Sequence, residues 1–231
     1  MAVVNELNGI ICVNKPAGFT SFDVIAKMRG ILKMRRLGHG GTLDPMATGV
    51  LPVFAGSAAK ASEMLPDHDK IYVAGFKLGT VTDTQDCTGK VLSESDKPVS
   101  REELDAAAEH FKGDIMQIPP MYSAVSVNGK RLYELARQGV TIERKPRPIT
   151  VYTLDILEYD VEKREGKMKI ACSKGTYIRT LINDIGEALG CGGIMTSLER
   201  TAACGFSISD CVTLEQLQQE ADRGGDFSSF V

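Results

Sequence analysis

Gly38-His39-Gly40-Gly41-Thr42-Leu43-Asp44-Pro45-Met46-Ala47-Thr48-Gly49-Val50-Leu51-Pro52 is the stretch from which the rest of the chain can be read. It sets one carboxylate, Asp44, among four glycines and two prolines, and the nearest acids in sequence are Asp23 and Glu63. Glycine permits positive φ and the close approach of a ligand, while proline fixes φ and removes a donor. Such a run describes a tightly specified backbone. Pro45 also biases Asp44 towards an extended conformation, which restricts how its side chain is presented. An Asp-Pro pair equally suits the start of a short helix or an Asx-turn. His39, the glycines and the apolar anchors on both sides favour a functional loop.

Upstream, residues 9–13 form an apolar, β-branched run stopped by Asn14-Lys15-Pro16-Ala17-Gly18, a strand ending in a turn that contains a lysine. Thr20-Ser21-Phe22-Asp23 resembles a capping box, after which Val24, Ile25, Met28, Ile31 and Leu32 keep helical spacing. Downstream, 50–54 reads as a strand containing Pro52, 57–65 as a short helix and 70–79 as a strand. The polar run 80–89 leads to a partner strand at 90–92. A capping box at Ser100-Arg101-Glu102-Glu103 opens a helix to about Phe111. Residues 119–127 read as a strand, Asn128-Gly129 as a turn and 130–138 as a basic helix ended by Gly139. Two β-rich runs, 148–159 and 167–172, precede a helix whose inner face is Ile178, Leu181, Ile182, Ile185 and Leu189. Tyr177 and Arg179 fall outside that apolar set, near its first turn. Strands at 194–200 and 205–209 and a helix over 213–221 close the chain. Strands often linked as hairpins, with helices between them, predict an α+β fold on a mainly antiparallel or mixed sheet.

A chain of 231 residues with 43% hydrophobic and 25% charged residues has the composition of a soluble globular protein. No apolar run approaches the roughly 20 residues that span a bilayer, and the N-terminus lacks the pattern of a signal peptide. The six cysteines include no Cys-x-x-Cys pair and read as reduced thiols of a cytoplasmic protein. The net charge is −3, but residues 24–43 carry five Lys or Arg and no acid, and residues 127–147 carry six against two acids. Local basic faces of this kind can read a polyanion, although each alone also fits a solvated helix face.

The chemistry narrows by exclusion. The three histidines, 39, 68 and 110, have no metal-binding spacing, and neither a phosphate-binding P-loop nor a Gly-x-Ser-x-Gly elbow occurs. What remains is a carboxylate in a shaped loop, aromatics at Tyr72 and Tyr177, the cation Arg179 and the basic patches. That set suits covalent carboxylate catalysis on an anionic polymer whose base stacks on an aromatic ring. Lys15, in its turn, is a candidate for contact with phosphate.

The stretch 38–52 resembles the signature of the TruB family of pseudouridine synthases, which act on the T loop of transfer RNA. Four further blocks stand in family order, one before it, Asn14-Lys15-Pro16 with Gly18-Phe19-Thr20-Ser21, and three after, Lys70-Ile71-Tyr72 with Thr82-Asp83-Thr84-Gln85-Asp86, Pro119-Pro120-Met121-Tyr122-Ser123-Ala124 with Asn128-Gly129-Lys130-Arg131, and Lys174-Gly175-Thr176-Tyr177-Ile178-Arg179. Leu198-Glu199-Arg200-Thr201 resembles the closing motif. The resemblance implies a pseudouridine synthase core, a long, mixed, mostly antiparallel sheet with flanking helices and a central catalytic cleft. It implies isomerisation of one T-loop uridine (position 55) by base flipping, with Asp44 as nucleophile attacking either ribose C1′ or base C6. Tyr72 matches the tyrosine that stacks on the target base, and Arg179 the arginine paired with the aspartate. His39 matches the histidine that helps displace the flipped nucleotides. Lys15 and Lys60 match RNA contacts, and Tyr177 and Leu198 apolar pocket positions. No metal or redox cofactor is implied. The expected partner is transfer RNA through its T-arm, bound by a monomer. Residues 1–231 are expected to be one catalytic domain, with the family's further C-terminal RNA-binding module absent or truncated. Two other readings stay open: a non-catalytic RNA-binding module on the same fold, and an unrelated enzyme with an aspartate nucleophile.

Overall fold

The structure, a computed structural model, describes residues 7–60, 69–127 and 129–231. Strand β1 (Gly9–Lys15) leads through the Lys15 turn into helix α1 (Ser21–Leu32). Thr20 caps that helix, its side chain accepting from Asp23 N while the Asp23 carboxylate accepts from Thr20 N, so two otherwise orphaned donors are satisfied. Strands β2 (Leu37–His39) and β3 (Thr48–Ala55) bracket the glycine-rich loop, and a 3₁₀ turn (Gly56–Lys60) follows. Next come β4 (Lys70–Leu78), β5 (Thr80–Thr82), β6 (Val91–Glu94), α2 (Arg101–Glu109) and β7 (Gly113–Gln117). The short hairpin β8 (Ser126–Val127) and β9 (Lys130–Arg131) runs into α3 (Leu132–Arg137). The long antiparallel pair β10 (Arg147–Asp160) and β11 (Glu165–Cys172) precedes α4 (Ile178–Ala188). The chain closes with β12 (Gly193–Ala203), β13 (Phe206–Ser207) and α5 (Leu214–Arg223).

Among the described residues the main sheet has nine strands in the order β1-β3-β12-β4-β11-β10-β7, with β2 beside β3 and β13 beside β12 off that path. Among the described pairings β3 and β12 run parallel, with Glu199 opposite Thr48 and Arg200 opposite Gly49. The β1–β3, β2–β3, β7–β10, β10–β11 and β12–β13 pairs are antiparallel. This is the mixed, mostly antiparallel α+β architecture expected.

Two compact units divide the chain, Met1–Tyr72 with Leu198–Val231, and Val73–Ser197. In the first, the apolar stripe of α1 (Val24, Ile25, Met28, Ile31, Leu32) packs on Ile11, Val13, Leu51 and Val53 of β1 and β3, and α5 adds Leu214 and Leu217. In the second, α4 buries Ile178, Leu181, Ile182 and Ile185, while Leu154, Met168 and Ile170 are buried on β10 and β11.

Several elements differ from expectation. No strand covers 119–125: Pro119 and Pro120 lack ladder donors, and Ser123 N turns back onto Met121 O at 2.9 Å. The strand lies just before, at β7, pairing with β10. The helix expected over 57–65 is a 3₁₀ turn ending at Lys60, and 61–65 lie outside the described residues. Asn128 also lies outside them, but its neighbour Gly129 has φ +80°, and β8 and β9 pair across the turn. The first two residues of the helix expected over 130–138 are instead strand β9.

Candidate active site

In the first unit, β2 and β3 pair antiparallel with His39 opposite Val53, and Gly40 N donates to Pro52 O at 2.8 Å. The residues between them form a loop whose apex is a tight turn. Ala47 N donates to Asp44 O at 3.0 Å across Pro45 and Met46, which puts proline at the turn position that its fixed φ suits. The residues on either side of Asp44 are tied to the segment that starts α1. Leu43 N donates to Ser21 Oγ at 2.9 Å, and Gly18 N donates to Pro45 O at 2.8 Å. Leu43 and Ala47 are buried, while Asp44 itself is half-buried.

Lys15 is where the structure departs most from the sequence reading. It is fully buried, and its ammonium donates to Pro16 O (2.9 Å), Phe19 O and Pro45 O (3.3 Å). A side chain so enclosed and so committed to carbonyls ties the β1 turn to the Asp44 loop and does not present charge to a phosphate. Burial pushes its pKa down to about 8, against the attraction of the Asp44 carboxylate and with the help of the Arg200 charge.

His39, on β2, is half-buried, and its Nδ1 has no hydrogen-bond partner among the described residues. Burial and then the Arg200 charge lower its pKa below the ordinary histidine value, so the ring is neutral at pH 7. Tyr72 is buried on β4, Leu198 is buried on β12, and Lys60 is exposed at the end of the 3₁₀ turn. Arg200, two residues along β12 from Leu198 and therefore on the same face, is fully buried. Its Nε donates to Val50 O at 2.7 Å and its Nη2 to Gly41 O at 3.2 Å. Sequence reasoning quoted Arg200 within the closing motif but gave it no role, because nothing in the sequence marks an arginine as buried.

In the second unit, Arg179 lies in the first turn of α4 and is nearly fully buried. Its Nη2 donates to Tyr122 O at 2.6 Å, and its Nη1 stands 3.7 Å from Asp86 Oδ2, a carboxylate that is itself buried. The other oxygen, Asp86 Oδ1, accepts from Thr84 Oγ1 (2.7 Å), Thr88 N (2.9 Å) and Thr88 Oγ1 (2.6 Å). Asp86 is thus held with one oxygen saturated and the other facing the guanidinium. The loop that carries it is locked at both sides: Met195 N donates to Gln85 O at 3.1 Å, and Thr180 Oγ1 donates to Gln85 Oε1 at 2.7 Å. Gln85 takes φ +63° to do this, an uncommon conformation for a residue with a side chain. Tyr177, half-buried, caps α4, and its backbone N and O both bond to the buried Gln117 side chain, at 2.8 and 3.0 Å. The unexpected strand β7 is what supplies that glutamine.

Taken unit by unit, the sequence-predicted residues fall as Asp44, His39, Lys15, Lys60, Tyr72 and Leu198 in the first, and Arg179 and Tyr177 in the second. Asp86 is the functional candidate that sequence reasoning left without a role. The signal was its place in a polar run of threonines, which supply the donors that fix a carboxylate. No group of three or more His, Cys, Asp or Glu could hold a metal ion among the described residues.

Residues 29–178 match the family described as TruB family pseudouridylate synthase (N terminal domain), and 179–226 match the tRNA pseudouridylate synthase B C-terminal domain. The chain is 48% identical to a tRNA pseudouridine synthase B of Clostridium kluyveri over 93% of its own length and 73% of that protein's. It is 47% identical to a protein of the same name from Lactobacillus delbrueckii over 95% of its own length and 76% of that protein's. Among solved structures it is similar to a Cbf5-Nop10-Gar1 complex, at 30% identity and a TM-score of 0.72, covering 94% of this chain and 57% of that one. A second is an H/ACA ribonucleoprotein bound to a substrate RNA containing 2′-deoxyuridine, at 29% identity and a TM-score of 0.70, over 94% and 56%. This chain therefore spans little more than half of the chains in those two structures.

Proposed function

This chain belongs to the TruB family of pseudouridylate synthases, and on that footing we propose that it isomerises a single uridine of transfer RNA to pseudouridine, the target being the T-loop uridine at position 55. The observation that carries the reading is the fixed presentation of Asp44. The residues before and after it are tied to the start of α1, and its own carbonyl closes the turn at Ala47. A nucleophile so placed needs little reorganisation before attack, which is where much of the advantage of an intramolecular geometry arises.

In this reading the Asp44 carboxylate attacks the flipped nucleoside, and the N1–C1′ bond breaks. The uracil turns, a C5–C1′ bond forms, and the bond between the Asp44 carboxylate and the nucleoside breaks, which frees the carboxylate. Loss of the C5 proton and protonation of N1 leave the composition unchanged, so no electrons leave the substrate. Tyr72 stacks on the base and assists proton removal. Arg179 is assigned as the cation that serves Asp44, and the Asp86 carboxylate and the Tyr122 carbonyl restrict how its fork can turn. Tyr177 and Leu198 are each assigned as apolar contacts of the base, and His39, as a neutral imidazole, occupies the gap left by displaced nucleotides. Flipping is required because C1′ and C5 are out of reach in a stacked loop, and unstacking costs a few kcal/mol. Exposed Lys60 and the basic residues of α1 and α3 meet the phosphates. The protein acts in the cytoplasm, as a monomer, and 1–231 form its catalytic part.

The test is to incubate the chain with an unmodified transfer RNA transcript and map pseudouridine by carbodiimide-dependent stops in primer extension. A single new stop in the T loop is expected. Modification spread over several loops, or confined to another arm, would refute the assigned target.

A further inference from the structure

We propose that Arg200 is a positioning residue for catalysis: a buried guanidinium fork that ties together the two ends of the Asp44 loop from the strand beneath it. This rests on the reading of Asp44 as nucleophile. Arg200 is fully buried, makes no ion pair among the described residues, and leaves Nη1 without a hydrogen-bond partner. A buried cation without a carboxylate is costly, and an apolar side chain of similar volume would make a more stable strand. What the guanidinium does instead is reach two acceptors nine residues apart in sequence. Gly41 O lies before Asp44 and Val50 O after it, and each accepts from a different nitrogen of the fork.

The backbone of β12 reinforces that tie. Arg200 stands opposite Gly49 in the parallel ladder, so closely that a Cβ on Gly49 would lie 2.2 Å from Arg200 O. The Arg200 charge also reaches two groups around the loop, depressing the pKa of both Lys15 and His39. Lysine cannot replace this arrangement. An ammonium can meet several carbonyls only where they converge on one nitrogen, as at Lys15, whereas the planar guanidinium reaches Val50 O and Gly41 O from two different nitrogens of a fixed fork. Loop ends released by even about 1 Å would misplace the nucleophile, a displacement that can cost on the order of 100-fold in rate.

The experiment uses the full chain with Arg200→Lys, and Arg200→Gln as a second variant should the first not fold. Three readouts are taken: single-turnover conversion of a transfer RNA transcript, affinity for the same transcript, and amide hydrogen exchange. The inference predicts conversion slowed roughly 10- to 100-fold with affinity within about threefold. Exchange at the Ala47 amide should be at least about tenfold faster, with the β1–β3 ladder amides unchanged. Unchanged conversion would overturn it. So would loss of rate, affinity and ladder protection together, since that pattern is general damage to the fold. If the unsubstituted chain makes no pseudouridine, the functional reading fails on its own. The Ala47 exchange then still decides the tie, and an unaltered rate there overturns it.

Discussion

Asp86 and Arg179 are each almost wholly buried, 3.7 Å apart, on a loop and a helix that the sequence separates by more than ninety residues. Replacing Asp86 by Asn keeps the shape but removes the charge opposite the guanidinium. A hydrogen bond or close pair involving a charged group contributes about 1.5–3 kcal/mol. Asp86→Asn should therefore lower Tm by about 3–12 °C in a chain of this size, and a melting curve within a degree of the parent would contradict that placement. Asp184 offers a test of the opposite sign. It is half-buried on α4 beside Glu187, and burial followed by that like charge raises its pKa to about 6, with Asn183 opposing. The folded chain holds this proton more tightly than the unfolded one between the ordinary carboxylate value of 3.8 and about 6. Stability then falls as pH rises through that window, and at pH 7 the full cost of the charge is present. Asp184→Asn should melt roughly 1–3 °C higher than the parent at pH 7 and no higher near pH 3.5. A gain that persists at the lower pH would remove the charge as its cause.

Among the elements, β3 carries the strongest steric demand. Gly49 has φ +103° and lies directly against the Arg200 backbone. Gly49→Ala must therefore both strain the backbone and force β3 from β12. A loss of about 3 kcal/mol or more is expected, which is roughly 6–12 °C in Tm. Thermal unfolding of the variant measures it, and a loss below about 1 kcal/mol would mean that the strands separate more easily than this register allows. Most elements here are legible in sequence because their signals are local. Thr20-x-x-Asp23 and Ser100-x-x-Glu103 form the capping boxes that their spacing announces, and the apolar sets of α1 and α4 are buried except Leu189, which caps the end of α4 half-buried. The errors come where structure is decided at long range. Strand β7 (Gly-Asp-Ile-Met-Gln) has little alternation of its own and is defined by its pairing with β10, while Pro119-Pro120 gives its neighbour a β-like composition without ladder donors. The site divides in the same way. The loop around Asp44 announces itself through glycine and proline, but the burial of Lys15, Arg200 and Asp86 depends on what packs over them, which no local pattern records.

At the scale of the whole molecule, a net charge of −3 coexists with a polyanionic substrate because the charge is unevenly placed. Lys27, Lys33, Arg35 and Arg36 are exposed on and after α1, and Lys130, Arg131, Arg137, Lys145 and Arg147 are exposed around α3. Affinity for RNA should fall as salt rises, with a slope set by the number of phosphates neutralised. Burial separates the two lysines that sequence grouped together. Lys60→Ala should reduce the magnitude of that slope by about 1, whereas Lys15→Met should leave it unchanged and lower Tm by withdrawing the donor shared by three carbonyls. Binding isotherms across a salt series distinguish them. A flattened slope for Lys15→Met would return that lysine to the RNA surface. No helix among the described residues is long and apolar enough to cross a membrane.

The central claim is that Asp44 is the nucleophile of a uridine isomerisation, and tritium release from a transfer RNA transcript labelled at uracil C5 tests it most directly. The chain should release about one tritium per RNA, as expected when one uridine is flipped and turned, and Asp44→Asn should release none while binding the RNA within a few-fold of the parent. Release by Asp44→Asn at a rate near that of the parent would contradict the account.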